Sequence, residues 1–272
     1  MTNPRPRVTV PTLLARKSSD APIAMITAYD KTFATIVDEA GVDMILVGDS
    51  VATVMQGEKT TLPVSLEEMA YHVRMVARAE TKALVVGDLP FGSYQSSISQ
   101  AIDSSVALVK AGAQAVKLEG GLHMADTIAA ITRIDVPVVG HIGLTPQSYH
   151  RMGGNRIQGR TSGLEAGGRD RLLQDAHAVE QAGAFCLVIE GVPEEVARDI
   201  TNKVAIPTIG IGAGQHCDGQ VLVLHDVLGL SDRKLSFAKP YADFRTDALR
   251  AVGQYVSEVQ ARTWPDEEHT FH

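Results

Sequence analysis

The 272-residue sequence predicts a single-domain (β/α)8 (TIM) barrel, and three observations carry that expectation. One unit recurs: Ala40-Gly41-VDMILVG-Asp49, Ala111-Gly112-AQAVKL-Glu119 and Ala182-Gly183-AFCLVI-Glu190, with the glycines 71 residues apart each time. In each copy a helical stretch ends at a glycine suited to a left-handed cap, a β-branched apolar run follows, and a carboxylate closes it. Second, the apolar runs are nearly continuous rather than alternating, the mark of parallel strands covered on both faces. Third, eight such strands, most followed by a helical segment, match the size of a closed barrel of about 250 residues.

In chain order the strands begin with IAMITAY from Ile23 and the first repeat ending at Asp49. They continue with ALVVGD from Ala83, the second repeat ending at Glu119 and VPVVGHIG from Val136. The third repeat ending at Glu190, IPTIGIG from Ile206 and QVLVLHDVLG from Gln220 complete the set. Apolar residues at helical spacing predict helices over residues 31–40, 66–79, 96–111, 124–133, 170–182 and 193–203, with an eighth barrel helix over 241–262. An open doubly wound sheet would need a glycine-rich nucleotide fingerprint after its first strand. TAYDKTF stands there instead. No Gly/Ser-rich linker divides the chain, so residues 1–272 read as one domain with a short N-terminal segment (1–20) and a C-terminal tail (263–272).

Composition excludes several classes. Lys plus Arg is 25 and Asp plus Glu 32, a net charge of −7 without a basic run, so nucleic acid is not an expected partner. No apolar stretch reaches the roughly 18 residues of a membrane span, and MTNPRPRVTVPTLLARKSSD has no signal-peptide core. Arg5, Arg7, Arg16 and Lys17 give that segment the charge of an organelle address, but Pro4, Pro6 and Pro11 oppose the amphipathic helix it needs. Cys186 and Cys217 stand outside any Cys-x-x-Cys or Cys/His cluster, so neither a disulfide framework nor a zinc site is expected, and a cytoplasmic location fits.

In parallel barrels the strand ends form the active face. Here Asp49, Asp88, Glu119 and Glu190 end the second, third, fourth and sixth strands, and Lys117 lies two residues before Glu119, on the same face of its strand. Carboxylates crowded in a barrel mouth repel one another and call for a cation. All-oxygen donors point to a hard one, Mg²⁺ first and Mn²⁺ second, with Asp49, Asp88 and Glu119 from adjacent strands as the ligand set. Lesser signals are the glycine loop Gly210-Ile-Gly212-Ala-Gly214, equally a tight turn, and His141 at the end of the fifth strand, equally a packing residue. His225 and Asp226 precede Val-Leu-Gly and read as a structural turn. His72, His123 and His177 fall in helical segments, and Asp266, Glu267 and Glu268 read as a solvated tail.

MITAYD, LVGDS, TLPVSLEEMAYH, VVGDLPFGSY, AVKLEGG, VPVVGHIGLTPQS, LVIEGVP and IPTIGIGAGQHCDGQVLVLHDVLGL occur in the order seen in the ketopantoate hydroxymethyltransferase (3-methyl-2-oxobutanoate hydroxymethyltransferase) family, which the chain resembles from about Val8 to about Tyr241. The resemblance implies a (β/α)8 enzyme of pantothenate biosynthesis. It would move a hydroxymethyl group from 5,10-methylenetetrahydrofolate to the keto acid 3-methyl-2-oxobutanoate, giving 2-dehydropantoate and tetrahydrofolate through an Mg²⁺-stabilised enolate. It implies that Asp49, Asp88 and Glu119 hold the metal, that Ser50 and Lys117, with Asp49 and Asp88, contact the keto acid, that Glu190 is the general base, and that the chain is a homo-oligomer, commonly a decamer in the family. His141 is expected to be a supporting donor. The chain departs from the common pattern at Val51-Ala52-Thr53 and Gln56-Gly57-Glu58, which bears on the shape of the loop after the second strand, and no motif marks the pteridine.

Two rival readings differ in class. An isocitrate-lyase-like or phosphoenolpyruvate-mutase-like lyase would share enolate stabilisation but uses a cysteine in a mobile loop, whereas Cys186 lies inside the sixth strand and Cys217 after the glycine loop. A catalytically silent ligand-binding barrel would have no reason to keep mutually repelling acids together.

Overall fold

The apolar runs become eight parallel strands: β1 (Ile23–Thr27), β2 (Met44–Val47), β3 (Leu84–Asp88), β4 (Ala115–Glu119), β5 (Val138–Gly143), β6 (Cys186–Glu190), β7 (Thr208–Ile211) and β8 (Gly219–Leu222). In the computed structural model each pairs with the next and β8 pairs with β1, closing the barrel. The structure describes residues 5–17, 19–231 and 235–271; Pro4 and His272 lie outside them. The chain divides into two compact units, Met1–Val223 and Leu224–His272.

In the first unit the helices are α1 (Val10–Leu14), α2 (Lys31–Glu39), α3 (Val51–Val54), α4 (Leu66–Ala77), α5 (Ile98–Ala111), α6 (Ala125–Thr132), α7 (Tyr149–Met152), α8 (Arg169–Gln181) and α9 (Glu194–Lys203). Their starts follow local chemistry. Asp30 accepts from Phe33 N to cap α2, Ser65 and Glu68 form a reciprocal capping box on α4, and Ser97 caps α5. The repeat glycines Gly41, Gly112 and Gly183 all take positive φ, as expected of the helix-to-strand turn. The N-terminal prolines do not prevent α1, because Pro11 sits in its first turn, where the amide needs no helical partner.

One expectation is corrected. Strands β2 to β5 are buried at every position, but β1 and β8 alternate, with Ala24 and Gln220 exposed. No helix spans β7 to β8, and the glycine loop makes that crossover.

The barrel interior follows strand alternation. Ile23, Met25, Met44, Leu46, Leu84, Val86, Ala115, Val139, Cys186, Val188, Ile209 and Val221 form one buried cluster, joined by Val8 and Leu13. Two residues further along, and four for Glu119, the same inward alternation reaches Asp88, Lys117, Glu119, His141 and Glu190. The register opposes Asp88 to Lys117, Glu119 to His141 and Gly143 to Glu190, so neighbouring strands deliver these groups to one end of the barrel.

The second unit holds α10 (Leu224–Val227) and α11 (Phe244–Ala261), the latter close to the expected 241–262 and capped by Asp243, which accepts from Thr246 N. None of the α11 side chains is buried. Among the described residues no helix is long and apolar enough to cross a membrane.

Candidate active site

Asp88 and Lys117 make the tightest contact of the mouth: Lys117 Nζ lies 2.7 Å from Asp88 Oδ1 and 2.8 Å from Oδ2, with both side chains buried. The amide of Asp49 donates to Asp88 Oδ2 at 3.2 Å. Asp49 itself lies beyond the end of β2, where the inward position falls on Gly48. A Cβ at Gly48 would come within 2.9 Å of Ser50 Oγ, so the glycine makes room for that hydroxyl, which lies 2.8 Å from Tyr29 Oη. His72 Nδ1 in turn meets the Tyr29 carbonyl oxygen at 2.8 Å.

Opposite this group, His141 stands between two carboxylates, its Nε2 3.2 Å from Glu190 Oε2 and its Nδ1 3.5 Å from Glu119 Oε1. Both are ion-pair distances without hydrogen-bond alignment, and both imidazole nitrogens and Glu119 Oε1 are buried with no hydrogen-bond partner among the described residues. Glu190 is the more open partner, its side chain 20% exposed against 3% for Glu119.

The electrostatics reflect three acids against one lysine. Burial, then repulsion from Asp88 and Glu119, pushes the Asp49 carboxyl up to about 8 against the pull of Lys117 and Gln147. Burial raises Asp88 too, although the ammonium of Lys117 opposes it. For Lys117 burial works downward, but Asp88, Glu119 and Asp49 outweigh it and hold the amine above its ordinary range. Burial and the charge of Lys117 likewise press His141 down, yet Glu119 and Glu190 prevail and raise it to about 9.

These features bear on a hard cation. The donors are all oxygen, and Glu119 Oε1 is a buried carboxylate oxygen lacking a hydrogen bond. Among the described residues no three His, Cys, Asp or Glu side chains already gather as a metal cage. The residues therefore fit as a partial shell, of the kind that takes its remaining ligands from water or substrate.

Two residues that sequence reasoning missed organise this site. Gln147, at the short 3₁₀ turn Pro146–Ser148 after β5, donates from Nε2 to Asp49 Oδ2 at 3.0 Å and from its backbone amide to Glu119 Oε2 at 2.9 Å. Tyr94 Oη donates to Gln147 Oε1 at 2.7 Å and accepts from Glu119 N at 3.1 Å. Both stand in motifs quoted above, VVGDLPFGSY and GLTPQS, but nothing in their spacing announces the contact.

The remaining candidates separate from this cluster. In the glycine loop Gly212 and Gly214 have positive φ and Gln220 Nε2 donates to the Gly214 carbonyl, the tight-turn alternative. His216 pairs with Glu194 at 3.2 Å. His123 is in the 3₁₀ turn after β4 rather than in α6, and His177 is exposed on α8. His225 and Asp226 fall in α10, just before Gly229 at positive φ. The Cys186 thiol is buried and pushed up to about 12 by that burial, and Cys217 is raised for the same reason, so neither is an activated nucleophile. A surface groove of about 560 Å³ between α6 and α8, lined by Ala129, His177 and Gln181 among others, contains none of the mouth acids.

With this geometry in view, comparison with known proteins is decisive. The sequence model of the family described as ketopantoate hydroxymethyltransferase matches residues 7–267. This chain belongs to that family. The 3-methyl-2-oxobutanoate hydroxymethyltransferase of Pelobacter propionicus is 50% identical over 273 residues, covering 100% of each chain. That of Geobacter sulfurreducens is 53% identical over 257 residues, covering 94% of this chain and 95% of the relative. The protein is thus an enzyme of the ketopantoate hydroxymethyltransferase family. Among solved structures, phosphonopyruvate hydrolase superposes with a TM-score of 0.61 at 13% identity, covering 96% of this chain and 89% of the other. A 2,3-dimethylmalate lyase described as a PEP mutase/isocitrate lyase superfamily member superposes at 0.59 and 18%, covering 97% and 93%. At such identities they share the fold with this family member, and their chemistry does not transfer with it.

Proposed function

We propose that the enzyme transfers a hydroxymethyl group from 5,10-methylenetetrahydrofolate, with water, to 3-methyl-2-oxobutanoate, giving 2-dehydropantoate and tetrahydrofolate in pantothenate biosynthesis. The observation that carries the reading is the division of the mouth. A buried, charge-strained cluster of Asp49, Asp88, Glu119 and Lys117 suits binding of a keto acid, while the half-buried Glu190 faces it across His141.

Glu190 is the base, its carboxylate taking the C3 proton of the keto acid and leaving the electron pair in an enolate. Lys117 supplies positive charge beside Asp88 to balance the substrate carboxylate or the developing enolate, and Ser50, oriented by Tyr29, offers its hydroxyl or amide to the same molecule. His141, touching Glu190 and Glu119, holds the base in place. Asp49, Asp88 and Glu119 are the residues that would hold Mg²⁺, with Mn²⁺ as second choice; when bound, the cation supplies Lewis-acid polarisation of the keto oxygen. Water adds to the methylene carbon of the folate and both of its C–N bonds break, releasing tetrahydrofolate and leaving the one-carbon unit as formaldehyde; C3 of the enolate attacks that carbonyl carbon, forming the new C–C bond, and the resulting alkoxide takes up a proton to become the hydroxymethyl group. A cytoplasmic homo-oligomer, a decamer as in the family, completes the reading.

The test is exchange of the C3 proton of 3-methyl-2-oxobutanoate for deuterium in D₂O with Mg²⁺, followed by NMR, in wild type and Glu190→Gln. Exchange that needs both metal and Glu190 supports the reading. If wild type shows no exchange and makes no 2-dehydropantoate when methylenetetrahydrofolate is added, the reading fails.

A further inference from the structure

We infer that Gln147 is the positioning residue that decides which oxygens of Asp49 and Glu119 face the ligand, an inference that rests on the metal-dependent reading above. Gln147 is buried, and its amide has one permitted orientation. Nε2 lies 2.9 Å from the Leu89 carbonyl oxygen, which can only accept, so the NH₂ group faces Leu89 and its other hydrogen points to Asp49 Oδ2 at 3.0 Å. Oε1 then faces two donors, Tyr94 Oη at 2.7 Å and Gln95 Nε2 at 3.2 Å.

The consequence is a sorting of carboxylate oxygens. Asp49 Oδ2 is held by the side chain of Gln147 and Glu119 Oε2 by its backbone amide at 2.9 Å. That leaves the other oxygen of each carboxylate, Asp49 Oδ1 and Glu119 Oε1, as the pair the inference assigns to the ligand; Glu119 Oε1 is buried without a hydrogen bond, with His141 Nδ1 at 3.5 Å. Tyr94 closes the network by accepting from Glu119 N and donating to Gln147, so strands β2 and β4 and the turn after β5 are joined through one amide.

Gln147→Met keeps the length and the backbone donor but removes both side-chain hydrogen bonds from Nε2. Titration with Mn²⁺ alone, read by electron paramagnetic resonance, should show the dissociation constant raised about tenfold or more, with a changed line shape of the bound ion and a metal-free melting temperature close to wild type. Wild-type affinity and line shape in Gln147→Met overturn the inference while leaving the metal reading intact. A wild type that binds no Mn²⁺ overturns the metal reading itself and this role with it. If Gln147→Met does not fold, Tyr94→Phe, which removes the hydroxyl anchoring the Gln147 carbonyl, decides: weaker Mn²⁺ binding supports the inference and unchanged binding overturns it.

Discussion

The two ends of the barrel handle buried charge in opposite ways. At the end where the strands begin, each buried acid is matched. Asp218 accepts from Lys17 Nζ at 2.8 Å and from Thr208 N and Oγ1 at 2.9 and 3.0 Å, and Asp43 forms an ion pair with Arg16 at 3.0 Å and accepts from Ala24 N at 2.9 Å. Val8 and Leu13 join the barrel core beside them. At the end where the strands finish, three buried acids share one lysine and a histidine is caught between two carboxylates. The first arrangement stabilises the fold; the second holds unsatisfied charge that a ligand can satisfy, as expected of opposite faces of a parallel barrel.

The sharpest way to separate the ends is to damage each and read both activity and stability. Glu190→Gln at the mouth should lower proton exchange by about a thousandfold, the scale of losing a general base, with an unchanged melting temperature; a loss of stability instead would put Glu190 in the structural class. Asp218→Asn at the other end should cost about 2–3 kcal/mol by breaking a buried pair, read as a lower denaturant midpoint, while turnover per folded molecule stays at the wild-type value. A fall in turnover would break the division of labour.

A smaller effect is expected for His141→Ala. Freed from its neighbour, Glu190 should lose about tenfold in exchange rate, roughly 1.4 kcal/mol, and unchanged exchange would remove His141 from the mechanism. The pH response of the metal-free protein tests the charge strain without any substitution. Asp49 sits at about 8 in the fold against an ordinary 3.8, so its protonated form is favoured by folding, and that contribution fades as pH rises toward about 8. His141, at about 9 against 6.5, contributes fully below 6.5 and loses its share as pH rises through about 9. The two slopes have the same sign, so the melting temperature should fall between pH 6.5 and 9, and Mg²⁺ should raise it more at the alkaline end. A flat profile with and without Mg²⁺ would show that the mouth is not charge-strained.

Much of this was legible from the chain alone, and the reason is periodicity. Strand alternation carries the inward face from Val86 to Asp88, from Ala115 to Lys117 and Glu119, from Val139 to His141 and from Val188 to Glu190, so five polar groups of the mouth follow from the pattern that identifies the core. Asp49 does not follow it: β2 ends at Val47, the inward position is Gly48, and the chain must bend before Asp49 can place its amide against Asp88. The covered faces expected of every strand failed at β1 and β8, where Ala24 and Gln220 are exposed, because a strand's apolar content does not say which outward positions a neighbouring element will cover.

The sequence by itself determined the barrel, the strand order, the family and the acids of the mouth, because each depends on local turns, a period of two or long contiguous motifs. Only the tertiary structure decided the pairings: Lys117 with Asp88, His141 between Glu119 and Glu190, and Gln147 reaching 98 positions along the chain to Asp49. Such contacts arise where loops from different strands close over one volume, and no local period encodes which donor will meet which acceptor there.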